Sequence, residues 1–208
     1  MDLIRINPDA LESAAIARAA AALAAGGIVA YPTDTFYGLA VDPRNLDAVR
    51  KLFDAKGRAA GQASPLIAAT VAQAEQAVEF HDAARRLATQ FWPGPLSLVL
   101  RAHALICREA LGGGDTAAVR VPDHAIARAL AAAASFCITA TSANLSTAPP
   151  ARSADEISPR LVAHIDVLID GGPAPGVAPS TIVDLTDPVP RLVRAGGIAW
   201  ERVLESLQ

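Results

Sequence analysis

Cysteine is scarce in this chain. Of 208 residues only Cys107 and Cys137 are cysteines, far apart and in no C-x-x-C arrangement. Such a chain is expected to have neither a disulfide scaffold nor a thiolate zinc site, and the pair reads as two ordinary thiols of a cytoplasmic protein. Long apolar runs are lacking too. Apolar residues reach 52%, but alanine supplies much of that, and no run of about 18 strongly apolar residues offers a membrane span. The alanine-rich segment 14–25 is interrupted by Arg18 and follows Asp9 and Glu12, so it lacks the basic start of a secretory signal. There is no basic excess. The net charge is −3, whereas proteins that hold nucleic acid mainly through phosphate contacts are basic overall. A local basic cleft stays open. His81, His103, His124 and His164 show no metal-ligand spacing, and no metal site is expected. Neither a Walker A loop nor a G-x-S-x-G elbow occurs, which speaks against a P-loop site and a serine hydrolase.

What is present is a mixed succession of helical and strand-like segments without an internal repeat. The length suits one domain over residues 1–208 that buries its own core. Asn7 followed by Pro8 reads as a helix start, with Ile16, Ala19, Ala20 and Leu23 on one face and Gly26-Gly27 as its end. Residues 28–33 read as a buried strand. Asn45 caps a second helix that ends near Lys56-Gly57, and Thr70 with Gln73 forms a capping-box pattern. Further strands are expected at 65–69, 96–101, 117–121, 137–140, 167–170, 181–185 and 191–194. Helices are expected at 81–92, 123–135, 154–163 and 198–207. The class is α/β with a twisted, mixed sheet.

Polar clusters interrupt this frame. Tyr31-Pro32-Thr33-Asp34-Thr35-Phe36-Tyr37-Gly38 packs hydroxyls, a carboxylate and aromatics into one turn after a strand. Lys56-Gly57-Arg58 reads either as a helix C-cap or as a phosphate clamp, Lys56 acting as point charge and Arg58 as planar fork. Arg120 stands in the apolar strand Ala117–Val121. A buried cation needs a partner, so it pairs with a protein carboxylate or receives an anionic ligand group. Thr116, just upstream, adds a hydroxyl. Ser142-Ala143-Asn144 follows a strand end, where open α/β sheets bind ligands, though a plain Asx- or Ser-type turn has the same pattern. Ser180 opens a strand after a Gly/Pro-rich loop, and Arg194 ends the last strand.

In this order, Pro32–Leu39, Lys56-Gly57-Arg58, Pro65-Leu66-Ile67, Trp92-Pro93-Gly94-Pro95-Leu96, Val119-Arg120-Val121-Pro122, Thr141–Ser146 and Ser180–Leu185 resemble the YrdC-domain family of threonylcarbamoyl-AMP synthases. The likeness runs from Asn7 to Arg194. It implies a single YrdC-like domain, its core over residues 7–196, with a twisted open sheet of mixed parallel and antiparallel strands, flanking helices and a concave ligand cleft. It also implies a nucleotidyltransferase that joins L-threonine, bicarbonate and ATP into threonylcarbamoyl-AMP and pyrophosphate. Mg²⁺ would accompany ATP, with no organic cofactor. A downstream transferase would move the threonylcarbamoyl group to tRNA.

By position, the resemblance assigns Thr35, Arg120 and Ser180 to threonine, with Arg120 on its carboxylate. It assigns Lys56, Arg58, Ser64, Thr116, Ser142, Asn144 and Arg194 to ATP, with Lys56 and Arg58 as the catalytic cations. The chemistry agrees: every reactant is anionic, so the protein must position them and offset charge, and no protein nucleophile is needed. The chain departs from the pattern at the alanine-rich stretch Ala59–Ser64, which is longer than usual. Ser64 stands where many members have Asn or Lys, Ala69 where fuller-length synthases often carry histidine, and Pro150 where a nucleotide contact is expected. These departures motivate an alternative, a noncatalytic YrdC-like paralogue that binds RNA or nucleotide, with RNA contact through Lys56 and Arg58.

Overall fold

The computed structural model describes residues 1–57, 61–176 and 178–208. Arg58, Ala59, Ala60 and Val177 lie outside the described residues, and with them the expectation for Arg58. The first half of the chain runs β1 (Asp2–Arg5), α1 (Ser13–Ala24), β2 (Val29–Tyr31), β3 (Gly38–Ala40), α2 (Leu46–Lys56), β4 (Leu66–Ile67), α3 (Val71–Ala74), α4 (Asp82–Phe91) and β5 (Leu96–Arg101). The second half runs β6 (Thr116–Arg120), α5 (Ala125–Ala134), β7 (Ile138–Thr139), β8 (Thr141–Ser142), α6 (Pro159–Val162), β9 (Val167–Asp170), β10 (Thr181–Asp184), β11 (Arg191–Arg194) and α7 (Trp200–Glu205). Among the described residues no helix is long and apolar enough to cross a membrane.

The strands divide over two mixed sheets: five in the order β1-β9-β2-β3-β8, and six in the order β11-β10-β5-β6-β4-β7. In the first, β9 is parallel to β1 and β2, and the β2/β3 and β3/β8 pairs are antiparallel. In the second, β10/β5 and β4/β6 are parallel and the remaining pairs antiparallel. Ala140 alone separates β7 of one sheet from β8 of the other. Thr139 fastens the joint, its hydroxyl donating to the Leu39 carbonyl (3.3 Å) and accepting from the Val41 amide (2.9 Å).

Side-chain alternation explains the two cores. Val29, Tyr31, Val167 and Ile169 point to one face of the five-stranded sheet, where α1 (Ile16, Ala19, Leu23) and α5 (Ile126, Leu130) cover them. Ala30, Leu39 and Leu168 point to the other face, into a core shared with Leu66, Leu98, Val119 and Val183 of the six-stranded sheet and with Val49 and Leu52 of α2. A sheet buried on both faces reads as a continuous apolar run rather than an alternating one, as in Gly27–Tyr31.

The cap signals at the helix starts and ends hold with two adjustments, and the helix expected at 154–163 is a 3-10 turn, Ala154–Glu156, followed by the separate α6. Asn45 Oδ1 accepts from the Asp47 and Ala48 amides, and Gly57 closes α2 in the left-handed region (φ 59°), a cost only glycine escapes. Thr70 accepts from the Gln73 amide, but Gln73 returns its side chain to the Ala69 amide (2.6 Å) instead of Thr70. The first helix begins at Ser13, not Pro8, because Asn7 Oδ1 accepts from the Asp9 amide and turns the chain first.

Candidate functional site

Loop and strand ends from both sheets converge on one cleft of about 240 Å³, lined by Thr33, Thr35, Phe36, Tyr37, Gly38, Pro65, Ser97, Arg120, Ala140, Thr141, Ser142, Pro179, Ser180, Ile182 and Arg194. The turn after β2 builds its floor. The buried Thr33 hydroxyl donates to the Phe36 carbonyl (2.7 Å) and accepts from the Thr35 amide (3.1 Å), so one side chain shapes residues 33–36. Tyr37 then fastens the turn to the loop after β9. Its hydroxyl donates to the Gly172 carbonyl (2.7 Å) and accepts from the Gly171 amide (3.3 Å). Burial pushes the Tyr37 phenol up to about 12, so it stays a neutral donor. The Gly176 amide donates to the Thr35 carbonyl (2.8 Å), laying residues 172–176 beside the cleft.

Arg120, the last residue of β6, reaches into the cleft and is 7% exposed. Its Nη1 donates to both oxygens of Asp34, 2.7 Å to each. Asp34 itself does not line the cleft. Arg194 stands close by. Its Nε and Nη2 donate to the Ser180 carbonyl (3.0 and 2.8 Å), and Nη2 donates also to Ser180 Oγ (3.0 Å). Burial, and after it the Arg120 charge, lowers the Arg194 pKa from the usual arginine value. Ser180 Oγ also lies 2.9 Å from Ser97 Oγ. The cleft thus presents two guanidinium groups and several hydroxyls, a set suited to anions.

Lys56 and Asn144 stand behind this surface. Lys56 is 4% exposed, and its ammonium donates to the carbonyls of Ser142 and, at 2.6 Å, Asn144. Ser142 Oγ donates to Asn144 Oδ1, while the Asn144 side-chain Nδ2 donates to the Leu145 (2.9 Å) and Ala148 (2.5 Å) carbonyls. These bonds hold loop 142–148 against the end of α2. Ser64 is buried next to the lining residue Pro65, its amide donating to the Ala110 carbonyl (2.8 Å). Thr116 begins β6, four residues before Arg120, roughly 13 Å at the rise of a strand, and is not among the lining residues.

The fold therefore brings Thr35, Arg120, Ser142, Ser180 and Arg194 together at the cleft, with Lys56 and Asn144 as its backing. Sequence reasoning assigned no role to Asp34 or Ser97. Ser97 carried a usable signal: an isolated hydroxyl in the apolar strand Leu96–Arg101, which must find a partner once buried. Asp34 carried none beyond lying between two threonines, since its partner is 86 residues away.

Comparison with known proteins follows the same residues. A family model described as telomere recombination (Sua5, YciO and YrdC) matches residues 21–196. The threonylcarbamoyl-AMP synthase of Pyrococcus abyssi (strain GE5 / Orsay) is 40% identical over 179 residues, covering 86% of this chain and 53% of that protein. That of Bacillus subtilis (strain 168) is 39% identical over 193 residues, covering 90% of this chain and 55% of that protein. The chain thus spans about half the length of these curated relatives. The crystal structure of P. abyssi Sua5 complexed with L-threonine superposes with a TM-score of 0.93 at 36% identity, covering all of this chain (100%) and 61% of that one. On its matching motifs, its sheets and its cleft, the chain belongs to the Sua5/YciO/YrdC family.

Proposed function

We propose that the cleft joins L-threonine, bicarbonate and ATP into threonylcarbamoyl-AMP and pyrophosphate. The observation that carries this reading is the convergence of Thr35, Arg120, Ser142, Ser180 and Arg194 on a single small cleft. The activity named for the P. abyssi and B. subtilis relatives supports it, as does the L-threonine held by P. abyssi Sua5. In this reading Arg120, Ser180 and Thr35 take the amino acid. Lys56, Arg58, Ser64, Thr116, Ser142, Asn144 and Arg194 serve the nucleotide, Lys56 and Asn144 by holding the Ser142 loop in place.

The threonine amine forms an N–C bond with the carbon of bicarbonate, water leaves, and a carbamate results. A carbamate oxygen then bonds to the α-phosphorus as the α–β bridging P–O bond breaks and pyrophosphate departs. Both steps gather negative charge, so fixed guanidinium and hydroxyl donors contribute by position and electrostatics. Among the described residues no three His, Cys, Asp or Glu side chains converge as a metal-ligand set. Mg²⁺ enters the reading as the companion of ATP, held by its phosphates, where it would neutralise their charge. The product would pass in the cytoplasm to a tRNA threonylcarbamoyl-transferase.

The test is pyrophosphate release from Mg-ATP by the purified protein, omitting threonine and bicarbonate in turn. The reading expects release only with both present. Release that ignores either omission, or none from folded protein, overturns it; the second result makes RNA and free nucleotide the next ligands to titrate.

A further inference from the structure

The Arg120–Asp34 pair has an uneven geometry. Arginine carries five N–H donors: one on Nε and two on each Nη. Asp34 places both oxygens 2.7 Å from Nη1 alone. Among the described residues Nε and Nη2 of Arg120 have no hydrogen-bond partner, yet neither is sealed from solvent, since only His124 Nδ1 is both buried and unpartnered. Arg120 lines the cleft and Asp34 does not. The carboxylate therefore grips the guanidinium from behind and leaves its Nε–Nη2 edge unused. That edge is the one that takes a carboxylate through two parallel hydrogen bonds.

We propose that Asp34 is a positioning residue for the amino-acid substrate: it pins Nη1 of Arg120 so that the Nε–Nη2 edge faces the cleft and receives the α-carboxylate. A guanidinium is planar and rigid, so fixing one nitrogen between two oxygens fixes the direction of the opposite edge. Asp34 is itself held. The buried Thr33 hydroxyl shapes its turn, and the Asp123 amide donates to its Oδ2 (3.3 Å). The side chains of Arg120 and Asp34 are 9% and 12% exposed, so neither wanders in solvent. Asp34 also offsets one of the two guanidinium charges at the cleft, where Arg120 and Arg194 repel each other. The question of a protein carboxylate or a ligand anion for Arg120 thus resolves into both at once, on different nitrogens.

This inference rests on the proposed threonine site, and direct binding separates the two. L-threonine and L-threoninol, which lacks the carboxylate, are titrated calorimetrically into wild type, Asp34→Asn, Asp34→Glu, Arg120→Gln and the Asp34→Asn/Arg120→Gln double variant, with ATP as a control ligand. Asp34→Asn is expected to raise the threonine Kd by about tenfold or more, the scale of one lost charge-assisted contact. The Kd values for threoninol and ATP should stay within about threefold, and the Arg120→Gln background should abolish the effect, as for residues acting through one partner. Asp34→Glu should fall between wild type and Asp34→Asn. Should Asp34→Asn fail to fold, Asp34→Glu alone decides, since it must still weaken threonine more than threoninol. Equal weakening of both ligands, or a full Asp34→Asn effect without Arg120, overturns the inference and leaves the function standing. Wild type that binds no threonine overturns both.

Discussion

Replacing Lys56 by methionine separates the two roles a buried lysine can have. Methionine keeps nearly the same length and apolar volume, so the packing loss is small, while both ammonium hydrogen bonds to the Ser142 and Asn144 carbonyls vanish. Hydrogen bonds to a charged group contribute about 1.5–3 kcal/mol each, and relief from burying the ammonium offsets part of that. The net cost is about 3 kcal/mol. For a domain of this size each kcal/mol moves Tm by roughly 2–4 °C, which gives a fall of roughly 6–12 °C. Calorimetric melting and urea unfolding of wild type and Lys56→Met, both without ligands, measure it. The ligand-free comparison matters, because a lysine kept only to meet phosphate would cost nothing to remove from the empty protein. A Tm within about 2 °C of wild type would refute the reasoning, and would mean that loop 142–148 stands without Lys56.

Two further outcomes are expected. His124 is the N-cap residue just before α5, its side chain caps no amide, and its Nδ1 is buried without a partner. Burial lowers its pKa below 6.5; the Asp34 and Asp123 carboxylates oppose the shift, and Arg128 and Arg120 add to it. The unfolded chain therefore takes up the proton first, and stability is lost as pH falls below about 6.5 until the folded protein protonates too. In urea unfolding the stability of His124→Asn relative to wild type should rise from pH 7.5 to pH 5.5, and a difference independent of pH would contradict the account. At Gly196 an added Cβ would stand 2.2 Å from the Pro179 carbonyl oxygen and 2.5 Å from the Ser180 carbonyl carbon, both backbone atoms. Gly196→Ala should lower stability by about 1–3 kcal/mol, as overpacking does, and, if the proposed threonine site holds, weaken L-threonine binding by displacing Ser180. Unchanged melting and binding would show that the 179–181 segment yields freely.

Legibility in the sequence followed the range of the forces involved. Strands β5, β9 and β11 fall on their expected residues, since a run such as Leu96–Arg101 carries its own pattern. Asn45 and Gly57 announced both ends of α2 through local cap chemistry. Strand β1 went unread because Asp2–Arg5 has only two apolar residues, and it becomes a strand by pairing with β9, more than 160 residues away. Gly38–Ala40 read as the end of a turn for the same reason, since its pairing with β8 is supplied by the fold. The division of the strands into two sheets turns on the single residue Ala140, which no periodicity marks. At the cleft, sequence reasoning named Arg120, Arg194 and the hydroxyls of Thr35, Ser142 and Ser180, but not Ser97 and not the orientation of any of them. That Asp34 takes one nitrogen of Arg120, and that Lys56 spends donors on backbone carbonyls, follows from contacts between residues 86 or more apart.

The most direct test of the central claim follows the carbon of bicarbonate. The protein is incubated with ¹³C-bicarbonate, L-threonine and Mg-ATP, and the products are separated and weighed by mass spectrometry. The account predicts an adenylate that carries both threonine and one ¹³C, formed in step with pyrophosphate. An unlabelled threonyl adenylate, or no adenylate from folded protein, would contradict it.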